Sequence, residues 1–213
     1  MAKKTRKTSG TSKTKADPRD HIIDTALTLA AERGWRRLAL AEIADGAGLT
    51  LSEARALFPS KTAILNGFVR RTDERVLAAG KADGSSARDR LFDVLMRRLD
   101  ILELHRDAVR VLVREAAFDP LAALCRGPQF LCSMAWMQEA AGLNSGGING
   151  AIRTKGLAVI YGCALSAWLA DDSPDSSKTM AVLDRGLARA ERLSRIFCPR
   201  KDAAPDAPQP GNA

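Results

Sequence analysis

The sequence has little of what makes an enzyme or a metalloprotein legible. Its four cysteines, Cys125, Cys132, Cys163 and Cys198, include no C-x-x-C pair, and its two histidines, His21 and His105, stand far from one another and from any ligand spacing. That excludes a disulfide framework and a zinc site, so no metal is expected. No G-x-x-x-x-G-K, G-x-S-x-G or H-E-x-x-H string occurs, which leaves catalysis without a phosphate cradle, a nucleophile or a metal pair. No catalytic residue and no cofactor is expected. The longest apolar run, Leu157 to Ala170, lies between Lys155 and Asp171 and falls short of the roughly twenty residues that span a bilayer. The N-terminal stretch has no apolar core of the signal-peptide kind. The expectation is a reduced, cytoplasmic protein without stable membrane insertion.

What is present is an ordinary globular composition. The 213 residues are 46% hydrophobic and 27% charged, enough to bury a core without cross-links. The formal charge of +8 is unevenly spread: Lys3, Lys4, Arg6, Lys7, Lys13 and Lys15 carry six of the eight, with no acidic residue among the first fifteen. The remainder is near neutral. The basic arm is suited to phosphate or an anionic surface, or else it is a solvated tail that aids solubility.

After Pro18 nearly every segment repeats at helical period, and no alternating strand is bounded by turns, which predicts an all-α protein. A first helix opens at Pro18, carries Ile22, Ile23, Ala26, Leu29 and Ala30 on one stripe, and stops at Gly34. Ala41 to Ala47 is a short helix stopped by Gly48, and Thr50 caps another from Leu51 to Phe58. Pro59 ends that one, and Ser60 opens a long helix from Lys61 to about Lys81. Asp83 to Ser86 is a hinge. Further helical runs start at Ala87 and continue to Pro120, then over 121–125, 127–141, 152–170 and 174–197. The organisation expected is a basic arm at 1–17, a helix-turn-helix domain at 18–82, a larger helical bundle at 83–198 and a tail at 199–213 with nothing to bury. The fold class is therefore all-α, with an N-terminal three-helix helix-turn-helix domain joined by a long helix to a larger C-terminal bundle.

A helix-turn-helix reads DNA by laying its second helix in the major groove, where side chains near its start reach base edges. In AEIADGAGLTLSEARALFPSKTAIL, Ile43, Ala44, Ala47, Leu49, Leu57 and Phe58 supply the buried side, while Thr50, Leu51, Ser52, Glu53 and Arg55 are the candidates to meet DNA. Residues 22–69 as a whole closely resemble the N-terminal DNA-binding domain of TetR-type transcriptional regulators. The features in common are Ala26 followed by Gly34, the Ile43 and Ala44 pair, Ala47, Gly48 and Leu49 at the turn, and Phe58 with Ser60 and Lys61 opening the fourth helix. The resemblance implies that Ala41 to Ala47 positions, that Leu51 to Leu57 recognises, and that Ser60 and Lys61 sit where the family meets phosphate at a helix start.

Two positions depart from the family pattern. Arg55 stands where a tyrosine is most frequent, and arginine can serve as a phosphate or guanine partner; Leu57 stands where histidine is frequent and offers no hydrogen bond. Glu53 repels phosphate unless it accepts from a cytosine amino group. Two shorter stretches, GLTLSEARALFP and LAVIYGCALSAWLADDSPD, also look similar to TetR-like ubiquinone-biosynthesis accessory proteins, which bind lipid. That weaker resemblance implies, as an alternative, a lipid- or quinone-binding protein without an operator.

The larger bundle holds most of the aromatic and sulfur side chains. By the resemblance it surrounds a pocket for a small apolar effector, with Phe118, Phe130, Met134, Met137, Tyr161 and Trp168 as candidate lining, although such stripes are equally the stuff of an ordinary core. The last two helices, 152–197, are candidates to pair across a two-fold axis, with Gly156, Gly162 and Ala164 permitting close approach. Trp35 is expected in the core, and Asp171, Asp172 and Asp175 are expected at a helix start rather than around a metal. Taken together, the resemblance implies a ligand-responsive homodimeric repressor. Its partner is a double-stranded DNA operator read in two major grooves about one turn, roughly 34 Å, apart. The arm (Lys3, Lys4, Arg6, Lys7) adds phosphate contacts.

Overall fold

A computed structural model describes residues 17–117, 120–173 and 175–197. Among these residues there is no strand. The helices are α1 (Pro18–Arg33), α2 (Leu40–Gly46), α3 (Leu51–Leu57), α4 (Lys61–Ala78), α5 (Ala87–Leu102), α6 (Arg106–Ala117), α7 (Pro120–Ala140), α8 (Gly147–Leu169) and α9 (Ser177–Phe197), with a 3₁₀ turn at Glu103–His105. Contacts gather them into two compact units. The first runs to Arg71 and takes in His105–Ala123; the second takes Thr72–Leu104 and the chain from Leu124 onward. α4 is continuous through Arg71 and Thr72, so its start belongs to the first unit and its end to the second.

In the first unit the Asp17 carboxylate accepts from the Arg19 N–H at 2.9 Å and Pro18 takes the first helical position, which starts α1; Gly34 at φ 86° ends it. Ile22, Ile23, Ala26, Leu27 and Ala30 are buried, so Leu27 rather than Leu29 completes the apolar stripe. α6 packs on α1 and buries Ala108 and Val109, bringing a sequence-distant helix into this unit. Phe58 is buried against α4, where a methyl group on Gly67 would stand 2.8 Å from its ring. Only glycine allows that approach.

The second unit is built on the α8 and α9 pair, with α5 packed against both. Its core combines Val94, Leu95 and Leu99 of α5 with Met134 and Met137 of α7, Leu157, Tyr161 and Trp168 of α8, and Leu183 and Leu187 of α9. One charged pair is sealed inside. Arg98 donates to the Asp73 carboxylate, Ser133 Oγ donates to the same oxygen at 2.8 Å, and the guanidinium lies 5.5 Å from the Tyr161 ring centre.

Beyond shifts of a few residues and the 3₁₀ break between α5 and α6, element limits differ from the sequence pattern in α7, α8 and α9. The runs expected at 121–125 and 127–141 form one helix, α7, which carries Pro128 inside it; a proline removes one ladder bond, and the buried Met134 and Met137 face holds the helix together beyond it. α8 starts at Gly147 rather than Ile152, because the 144–146 turn is closed by Asn144 Oδ1 accepting from the Gly146 N–H at 2.6 Å. α9 starts at Ser177 rather than 174. Asp171 Oδ1 accepts from the Ser173 N–H at 3.2 Å, and Oδ2 accepts from the Thr179 N–H and hydroxyl at 2.9 Å each, so the turn is tied before the helix begins.

Candidate nucleic-acid interface and ligand cavity

The turn between α2 and α3 follows from Gly48, whose φ of 66° suits glycine, while the Leu49 N–H reaches back to the Ala44 carbonyl at 2.9 Å. Thr50 then caps α3 reciprocally. Its Oγ1 accepts from the Glu53 N–H at 3.2 Å, and Glu53 Oε2 accepts from the Thr50 N–H at 2.8 Å and from the Thr50 hydroxyl at 2.7 Å. The Thr50 N–H first, and then its hydroxyl, hold the Glu53 carboxyl below the ordinary carboxylate range. The polar ends of Thr50 and Glu53 are thus engaged in shaping the helix.

No residue of α3 is buried. Its support comes from Ile43, Ala44, Ala47 and Phe58 beneath it, with Leu57 half-buried at its end. Leu51 is 57% exposed, and Ser52 and Arg55 are exposed as well. An open leucine, a hydroxyl and a guanidinium can meet, respectively, a thymine methyl, either base edge, and guanine or phosphate.

Ser60 accepts from the Ala63 N–H at 3.1 Å and so caps α4. Lys61 points back into its own unit: its ammonium donates to the carbonyls of Trp35 and Leu38, both at 2.6 Å, and lies 4.8 Å from the centre of the Trp35 ring. Burial lowers the Lys61 pKa, opposed by the charges of Glu115 and Glu42. Glu115 of α6 fixes the same loop by accepting from the Arg36 N–H at 2.8 Å. Trp35 is buried, as the sequence suggested. Lys3, Lys4, Arg6 and Lys7 lie outside the described residues.

Of the expected pocket residues, Met134, Met137, Tyr161 and Trp168 are fully packed in the core of the second unit; Phe130 is half-buried with its ring centre 6.0 Å from that of Tyr161, and Phe118 lies outside the described residues. Burial pushes the Tyr161 hydroxyl up, against the neighbouring Arg98 charge. The Trp168 indole donates to Glu103 at 3.0 Å. A cavity of about 550 Å³ opens beside this core, lined mainly by Leu91, Gln138, Ile152, Leu157, Ile160 and Leu187 from α5, α7, α8 and α9. Sequence reasoning chose aromatic and sulfur side chains and passed over these. A signal for Gln138 was available, since it is an amide next to Met137 on a face otherwise filled by Met134, Met137 and Ala141.

Along α8, Ile152, which also borders the cavity, and Val159 are 63% and 69% exposed, and Gly156 between them has open space where a side chain would be. Ala164, expected to ease a partner's approach, is instead completely buried within its own subunit. Among the described residues no three His, Cys, Asp or Glu side chains come together as a metal site, and no helix is long and apolar enough to cross a membrane.

An exposed, capped α3 that follows α2 across a glycine turn, with Ile43 and Ala44 of α2 buried, is the arrangement of a helix-turn-helix. No protein-family model and no curated protein matches the sequence. Solved structures do. A TetR transcriptional regulator from Nitrosomonas europaea matches with a TM-score of 0.66 and 27% identity, covering 83% of this chain and 99% of that one. One from a Rhodococcus species matches with a TM-score of 0.61 and 19% identity over 81% and 94% of the two chains. A TetR-family regulator from Streptomyces coelicolor matches with a TM-score of 0.54 and 17% identity over 84% and 82%. The chain thus has the fold of these TetR transcriptional regulators.

Proposed function

We propose that the protein is a homodimeric, ligand-responsive repressor in which the first unit reads a DNA operator and the second holds the ligand and the partner subunit. The observation that carries the reading is α3 itself. It is seven residues long, capped at its start by Thr50 and Glu53, and leaves Leu51, Ser52 and Arg55 open to a groove. Leu51, Ser52 and Arg55 meet base edges, and Ser60, Lys61 and the arm residues Lys3, Lys4, Arg6 and Lys7 serve the phosphate backbone. The exposed Ile152 and Val159 row supports a two-fold pairing through α8, since an apolar row of that kind is costly in water. Ligand binding shifts the population between forms of different operator affinity. No observation favours the lipid- or quinone-accessory alternative.

The test is selection of bound duplexes from a random pool at about physiological salt, with the intact chain and with one lacking residues 1–15. Recovery of a palindrome with half-sites about one turn apart by both proteins is the expected result. Binding by the intact chain alone, without a consensus, refutes the operator reading.

A further inference from the structure

The turn before α2 is anchored by two other helices and presents two arginines to solvent. The Leu38 N–H reaches back to the Trp35 carbonyl at 3.4 Å, which puts Arg36 and Arg37 at the corners of a turn whose ends, Trp35 and Leu38, are buried. Lys61 of α4 donates to both end carbonyls at 2.6 Å, and Glu115 of α6 accepts from the Arg36 N–H at 2.8 Å. The backbone beneath the two guanidiniums is thereby fixed.

The guanidiniums themselves take no part in that anchoring. Arg36 and Arg37 are exposed, and among the described residues neither side chain has a hydrogen bond or an ion pair. The acidic groups around the turn are engaged: Glu42 accepts from Arg33 at 3.3 Å and from the Ala39 N–H at 2.7 Å, and Glu115 holds the Arg36 main chain. Turn corners favour glycine, proline, asparagine and aspartate, so two arginines answer no need of the backbone there. Adjacent like charges repel, and an anion placed across them relieves the repulsion. A guanidinium meets a phosphate through two parallel N–H bonds, which suits it to that anion above others.

α3 ends at Leu57, and α4 begins at Lys61. The turn therefore stands one lysine side chain away from the start of α4, beside the junction that follows the reading helix. A helix laid in a major groove about 12 Å wide has a phosphate backbone along either wall, and cations beside its end meet that backbone before any base edge. We propose that Arg36 and Arg37 clamp the phosphate backbone of DNA next to the base pairs that α3 reads, with Lys61 and Glu115 as positioning residues that keep the clamp rigid. The proposal rests on the DNA-binding reading above and adds to it a backbone contact separate from Ser60 and the basic arm.

The test is the salt dependence of binding by the full chain to a duplex of arbitrary sequence, followed by the duplex selection repeated with the variants. Each phosphate contact adds about 0.9 to the slope of log K against log salt, so Arg36→Gln with Arg37→Gln should lower the slope by about two per bound subunit. The selected consensus should be unchanged, and urea unfolding should coincide with that of the native chain, since both side chains are exposed and unbonded. Arg36→Lys with Arg37→Lys keeps the charges and should keep the slope.

An unchanged slope in the glutamine variant overturns the proposal. Equal loss of slope in the lysine variant overturns it as well, because the shape of the turn rather than its charge would then matter. A shifted consensus in the glutamine variant overturns it in favour of a base contact. Failure of the clamp and failure of the operator reading are separable: a slope that falls on the arbitrary duplex, with no consensus recovered, sustains the clamp and removes the operator. A recovered consensus with an unchanged slope does the reverse, and a native chain that binds no duplex ends both.

Discussion

The Lys61 ammonium stands 4.8 Å from the centre of the Trp35 ring and 2.6 Å from the Trp35 carbonyl oxygen. With its second bond to the Leu38 carbonyl, it ties the loop that leads into α2 to the first residue of α4. The helix-turn-helix lies between those two points in the chain. One cation thereby fixes both ends of the reading motif, at a position the family resemblance assigned to phosphate alone.

Lys61→Ala should therefore weaken binding to all duplexes and also lower stability by about 1 to 2 kcal/mol, since two carbonyls lose a charged donor at a half-exposed site. Urea unfolding and salt-dependent binding check the two effects. A fall in affinity with unchanged stability would reduce Lys61 to a phosphate contact.

Glu53 allows charge to be separated from shape. Glu53→Gln keeps an oxygen for the Thr50 N–H and removes a negative charge from the reading helix, so binding should tighten a few-fold on every sequence with base preference unchanged. Glu53→Ala should weaken binding instead, because α3 loses half of its reciprocal cap. A change of preference at one base position in Glu53→Gln would show that the carboxylate reads a base.

Asp73→Asn should destabilise the second unit by about 3 to 5 kcal/mol, because it leaves the Arg98 charge buried without its counter-charge. The double variant Asp73→Asn with Arg98→Met should recover much of the loss in urea unfolding. Additive losses would mean that the two side chains do not act as a pair.

Asp171 makes stability depend on pH. The Ser173 hydroxyl above all, with the Thr179 N–H and hydroxyl, holds its carboxyl well below the ordinary aspartate range despite burial. A depressed carboxyl stabilises the fold fully above its unfolded value of about 3.9 and loses that contribution as pH falls below it. Unfolding between about pH 4 and pH 2 should thus take up close to one proton more in the native protein than in Asp171→Asn, which thermal melts across that range will measure. Parallel curves for the two proteins would contradict the assignment.

The reading motif was legible because its signals are local: Gly48 at a positive φ, a Thr50 and Glu53 pair three residues apart, and a proline after Phe58 all act within one turn. The all-α class was equally plain from periodicity. The bonds of Lys61 to the Trp35 and Leu38 carbonyls were not legible, because those partners are more than twenty residues away and main-chain acceptors leave no trace in residue type. The cavity was missed for a related reason. Aromatic and sulfur side chains filled their own core, as large apolar groups do, and space was left beside Leu91, Ile160 and Leu187, whose identities alone say only that they are apolar.

The packing of α6 on α1 bears on how the protein is made. The reading unit closes only when 106–117 meets 18–33, so its last buried surface waits for a stretch of chain synthesised after the whole of α5. On a ribosome the recognition helix can leave the tunnel long before the unit that holds it rigid is complete. The scaffold under α3 is thus completed late in synthesis, and a nascent chain stalled before residue 106 should present α3 without it.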